Sequence, residues 1–122
     1  MGQATPDPRA GSTVVEDWQR ELAGCEVVWV NAQAESGLPY DILIRSPSGA
    51  AVKAYIEVKS SSARQKDVFE VSRAELNFAA QHGARYQILR VSGACSPEPS
   101  LTRLVDPIGL CQTGVVSLCL LV

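Results

Sequence analysis

Three residues of this sequence have the types and spacing for metal-assisted chemistry: Asp41, Glu57 and Lys59. Glu57 and Lys59 stand two apart in Ala54-Tyr55-Ile56-Glu57-Val58-Lys59-Ser60-Ser61, a short apolar run with strand character. Side chains alternate along a strand, so Tyr55, Glu57 and Lys59 share one face while Ala54, Ile56 and Val58 take the other. Alone, an acid-x-Lys is more often a solvated salt bridge than a site. A second acid changes that reading: Asp41 lies in an earlier strand-like segment, and the turn signal Ser46-Pro47-Ser48-Gly49 folds the two segments into a hairpin. Counting back from the turn puts Asp41 opposite or diagonal to Glu57, where cross-strand neighbours lie about 5 Å apart. Two carboxylates offer the hard oxygen ligands that Mg²⁺ (or Mn²⁺) accepts alongside waters and phosphate oxygens. A lysine beside them could orient or help deprotonate an attacking water. Such a set suits cleavage of a phosphodiester.

The elements that must position these residues follow from the pattern around them. Thr13 with Glu16 three residues on forms a capping box for a first helix, with Val14, Val15, Trp18 and Leu22 on one face and Gly24 at its end. Residues 26–31 read as a short, largely buried strand. A polar loop, 32–39, leads to the strand at 40–45, and 52–61 returns antiparallel to it. A polar connection precedes the clearest helix start: Ser72 caps, Glu75 completes a capping box, and Val71 can staple against Leu76. Leu76, Ala79 and Ala80 form its expected inner face, and Gly83 closes it. Strands are expected at 86–91 and 101–105, Pro107 and Gly109 break the chain, and the apolar tail 115–122 reads as a buried strand. The order implies an α/β layer fold, a mixed β-sheet with helices packed against it.

The 122 residues are 46% hydrophobic and 20% charged, the proportions of one soluble globular domain. A net charge of −2 excludes an indiscriminate nucleic-acid packaging protein, though not a nuclease with an acidic site. Cys25, Cys95, Cys111 and Cys119 lie far apart with no Cys-x-x-Cys and no neighbouring histidine. They read as buried free thiols in a reducing compartment, not as a zinc site. Residues 1–11 read as a flexible leader or linker, and 12–122 as a single domain excised from a larger protein. With no signal peptide and no run long enough to span a bilayer, the expectation is an intracellular domain, nuclear or cytoplasmic, without a membrane.

Taken in order, Trp29-Val30-Asn31, Glu35-Ser36-Gly37-Leu38-Pro39-Tyr40-Asp41, Tyr55-Ile56-Glu57-Val58-Lys59-Ser60, Phe69-Glu70-Val71-Ser72 with Glu75, and Tyr86 with Arg90-Val91 carry a family likeness. Over this span the sequence resembles the PD-(D/E)XK nuclease superfamily, and more closely the NO VEIN C-terminal domain family. The resemblance implies a restriction-endonuclease-like core that hydrolyses DNA or RNA, with Asp41 and Glu57 as metal ligands and Lys59 as the catalytic lysine. It also implies a glutamate from the first helix, for which Glu16 is the candidate and Glu21 the substitute. Gly11-Ser12-Thr13 stands where the expected Gly-Glu signature would begin. Glu35, in the loop before Asp41, is a further acid within reach. Ser60 follows the lysine and could touch substrate. Arg64, Lys66 and Arg73 flank the strand exit and the second helix, whose positive end favours a phosphate. Glu75 reads mainly as a cap and His82 as a surface residue. The alternative is a catalytically inactive module of the same fold that binds nucleic acid or a protein partner, with other domains of a larger parent supplying affinity.

Overall fold

The structure, a computed structural model, describes residues 11–64 and 67–119. Helix α1 spans Gly11–Glu21, followed by strands β1 (Glu26–Trp29), β2 (Ile42–Arg45) and β3 (Val52–Ser61). Helix α2 (Arg73–His82), strands β4 (Tyr86–Ser92) and β5 (Ser100–Val105), and the short helix α3 (Pro107–Gln112) complete the order. The five strands lie side by side in chain order. β1, β2 and β3 pair antiparallel, β3 and β4 pair parallel, and β5 returns antiparallel to β4. The parallel step has α2 in its crossover, as a connection between parallel strands requires. The chain is therefore a mixed α/β domain, as the sequence implies.

Strand alternation gives the sheet two distinct faces. On one, Ile44, Ala54, Ile56 and Leu89 are buried, with Trp18 of α1 and Leu22 just beyond it packed against them. On the other, Ala79, Tyr86, Ile88 and Leu104 form a second core joined by Tyr40, Tyr55, Phe69, Val71, Phe78 and Ile108. Glu57 and Lys59 belong to this second face, because their neighbours Ile56 and Val58 point into the first. Burying one aliphatic side chain of this kind contributes about 1.5–3 kcal/mol, so both cores hold β3 in place.

α2 begins as expected. The Ser72 side chain accepts from the Glu75 N–H, and the Glu75 side chain accepts from the Ser72 N–H. At the other end Gly83 takes φ +53°, ψ −124°, a conformation open to glycine, and its N–H bonds the Ala79 carbonyl.

Several expectations are corrected. β1 is an edge strand and not a buried one, with Val27 60% and Trp29 63% exposed. The inner face of α2 is Glu75, Phe78, Ala79 and His82, spaced i, i+3, i+4 and i+7, while Ala80 is exposed. His82 is half-buried, its ring 4.0 Å from that of Phe78 and 4.7 Å from that of Tyr55. Pro107 starts a helix at its first turn, where a missing N–H costs nothing, and Asp106 caps it. Residues 115–119 form no strand, and Val115 and Leu118 are exposed; 120–122 lie outside the described residues. α1 starts at Gly11, which places Thr13 within the helix and not at its cap. Cys95 and Cys119 are exposed, and Cys25 and Cys111 half-buried.

Candidate functional site

The hairpin register places Asp41 beside Glu57. Ile42 pairs with Ile56, and one step further the Asp41 N–H donates to the Ile56 carbonyl at 2.8 Å. Asp41 is held from both sides. Its Oδ1 accepts from Asn31 Nδ2 at 2.8 Å, and its Oδ2 accepts from the Val58 N–H at 2.8 Å. Asn31 is itself fixed, because its Oδ1 accepts from the Ser36 N–H at 2.9 Å and Oγ at 2.6 Å. Tyr86, completely buried, donates its hydroxyl to the Pro39 carbonyl at 2.9 Å and so ties the loop before Asp41 to β4. Loop and strand together fix one carboxylate.

Glu75 brings a third acid to this face from α2. It is only 8% exposed, and its Oε1 accepts from Lys59 Nζ at 2.9 Å. Oε2 lies 2.8 Å from the same nitrogen but off the hydrogen-bond direction, leaving a buried oxygen without a hydrogen bond. The capping-box glutamate is thus also the main partner of Lys59, a role its sequence position hides. Lys59 Nζ is 3.7 Å from Glu57 Oε1, an ion-pair neighbour too distant for a hydrogen bond.

Burial, then the negative charges of Asp41 and Glu75, push the Glu57 carboxyl up to about 7, against which Lys59 pulls only weakly. Burial is also the main cause that raises the Tyr86 phenol, followed by Glu75, Glu57 and Asp41. At neutral pH Glu57 is poised between its charged and uncharged forms, and a cation would favour the charged form.

Not every expected residue joins this cluster. Glu16 is exposed on α1, which packs on the opposite sheet face, and Glu21 pairs with Arg103 at 2.7 Å. Glu35 is exposed in the loop before Asp41. Ser60, even-numbered like Ile56 and Val58, lies on the opposite face from Lys59 and is exposed. Arg64 and Arg73 are exposed at the exit of β3 and the start of α2. Lys66 lies outside the described residues. The capping box occupies the Ser72 and Glu75 N–H groups at the start of α2.

The residues suit some metals better than others. No group of three His, Cys, Asp or Glu able to hold an ion occurs among the described residues. Asp41 and Glu57 do fit an ion that takes one or two carboxylates and keeps its waters, as Mg²⁺ does. Each Asp41 oxygen retains a lone pair beyond the one it uses.

A mixed-sheet α/β domain with acids and a lysine gathered on one face of its central strand is the class these features define. Residues 11–104 match the family described as "Protein NO VEIN, C-terminal", and the chain belongs to that family. It is 40% identical over 95 residues to "Protein NO VEIN" of Arabidopsis thaliana, a match covering 78% of this chain and 3% of that protein. It is 43% identical over 65 residues to "Protein NO VEIN-LIKE" of the same plant, covering 53% of this chain and 10% of that protein. The chain thus spans a small part of the curated relatives it matches. No solved structure matches it. No helix among the described residues is long and apolar enough to cross a membrane.

Proposed function

We propose that this domain is a metal-dependent nuclease-like module with a restriction-endonuclease-like core, acting on phosphodiester bonds of DNA or RNA within a larger protein. The observation that carries this reading is the convergence of Asp41, Glu57 and Lys59 on one sheet face, with Glu75 alongside. Asp41 and Glu57 would hold Mg²⁺ or Mn²⁺. When bound, such an ion stabilises negative charge on a phosphoryl group and lowers the pKa of a bound water. Lys59 is oriented by Glu75, and from that position its ammonium can bond a water or a phosphate oxygen with a remaining proton. Asn31 and the Val58 N–H hold the Asp41 carboxylate in a single orientation, which lowers the cost of reorganisation when a ligand arrives.

A second reading is an inactive module of the same fold that binds nucleic acid or protein. The observation favouring it is the ion pair of Lys59 with Glu75, which satisfies the lysine inside the protein. The two readings part in one experiment: incubate the purified chain with DNA and RNA substrates in Mg²⁺ or Mn²⁺, beside Asp41→Ala and Lys59→Ala. Cleavage by the wild-type chain that both substitutions abolish supports the nuclease. Equal cleavage by the double variant would sink it.

A further inference from the structure

We infer that Arg90 is the phosphate-binding residue of this site, the side chain that receives a phosphodiester oxygen while Lys59 is held by Glu75. This deepens the proposed function and rests on its nucleic-acid substrate class. In the parallel register of β3 and β4, Arg90 pairs with Lys59 and Ile88 with Glu57, so Arg90 lies next to the lysine on the same sheet face. Its guanidinium carbon stands 4.7 Å from the centroid of the Phe69 ring, which orients the planar group without consuming its hydrogen bonds.

Its partners are what single it out. Lys59 is engaged by Glu75 at 2.8 Å, and Arg103 by Glu21 at 2.7 Å and by Gln87 at 2.9 Å. Arg90 has no carboxylate partner among the described residues, and its Nε is buried without a hydrogen bond. An uncompensated charge with an unsatisfied buried donor is costly; the Nε itself is closed to solvent, so an anion meets this charge through the part of the side chain that remains open. The residue is half-buried, so part of it remains open to a ligand.

Charge balance is compatible with a phosphodiester as the anion. Asp41, Glu57 and Glu75, when ionised, outweigh Lys59 and Arg90 by one negative charge. A divalent cation reverses the excess to one positive charge, which a single phosphodiester neutralises. Of the two cations on this face, the arginine has the fork that matches two phosphate oxygens.

The test titrates the ¹⁵N-labelled chain with short DNA and RNA oligonucleotides, with Ca²⁺ as the cation. The Arg90 Nε–H cross-peak is followed, and affinity is measured by fluorescence anisotropy for the wild type, Arg90→Lys and Arg90→Ala. The inference expects the cross-peak to shift and affinity to fall about tenfold or more in Arg90→Ala, as for loss of one charged hydrogen bond. The salt dependence should fall by about one phosphate contact, with Arg90→Lys recovering the slope but not the full affinity. A cross-peak unmoved by either oligonucleotide overturns it, and this readout needs no variant to fold. Arg90-dependent binding by a chain that does not cleave keeps the inference and discards the enzymatic reading. Undiminished cleavage by Arg90→Ala does the reverse.

Discussion

The two faces of β3 are built from alternating residues of one strand yet obey different rules. Ala54 and Ile56 are buried under α1 in an apolar layer where any well-fitting hydrophobic residue serves. Glu57 and Lys59 face α2, where charges from several elements gather: Asp41 from the residue before β2, Glu75 from α2 and Arg90 from β4, with Lys59 paired to Glu75 and the acids raising one another's protonation. The first face tolerates variation in identity so long as volume is kept. The second tolerates little at Lys59 and Glu75, because removing either one leaves the other buried without its main partner.

The largest effect expected tests the proposed chemistry. On the proposed nuclease reading, Asp41→Ala lowers Mg²⁺-dependent cleavage by roughly a thousandfold or more while thermal unfolding remains cooperative. A loss of cooperative unfolding would show instead that Asp41 serves mainly to hold Asn31 and Val58. On the apolar face, Ile56→Ala should cost about 2–4 kcal/mol of stability by urea denaturation and leave the proposed Mg²⁺ binding unchanged. A change in metal affinity from that substitution would break the separation of the faces.

Glu75→Ala should cost about 1–3 kcal/mol, from the lost cap and a stranded Lys59. Glu75→Gln keeps the cap geometry and should recover part of this in the same denaturation measurement. The pH dependence is gentler. Glu57 has its pKa raised from 4.5 to about 7, so the folded state holds this proton more tightly than the unfolded chain. Its contribution to stability is present below about 4.5 and lost as pH rises through 7, so the metal-free melting temperature should decline across that window. Glu57→Gln should flatten the decline, and Mg²⁺ should stabilise the wild type more above pH 7 than below it. Smallest of all, Ser60→Ala should change stability by less than about 0.5 kcal/mol, since Ser60 is exposed on the other face.

What the sequence disclosed follows the same division. Periodicity, the hairpin turn and the Ser72–Glu75 capping box are local signals, and they located β2, β3 and α2 and brought Asp41 next to Glu57. The second role of Glu75 was hidden because a capping box accounts for it completely; only the packing of α2 shows that its carboxylate also reaches Lys59. Phe78 faces inward on α2 although the expected inner face is Leu76, Ala79 and Ala80, because its ring packs against Tyr55 and Tyr86 of the sheet. β1 misled for another reason. Its run of Val27, Val28 and Trp29 looks internal, but a strand with one neighbour leaves large side chains exposed whatever their hydropathy. No local signal orients Glu16, and α1 lies over the sheet face without the acids.

The parallel pairing of β3 with β4 sets an order of events as well as a geometry. β2 and β3 are joined by a tight turn, so Asp41 and Glu57 meet through contacts close in sequence. Glu75 and Arg90 reach the same face only after the chain has closed the longer excursion through α2. Local pairings generally form faster than crossovers. The acids of the hairpin are therefore expected to meet first and to repel each other until Lys59 is clamped and β4 docks. In refolding, Asp41→Asn should accelerate hairpin formation seen by pulsed hydrogen exchange and leave the later docking of β4 unchanged.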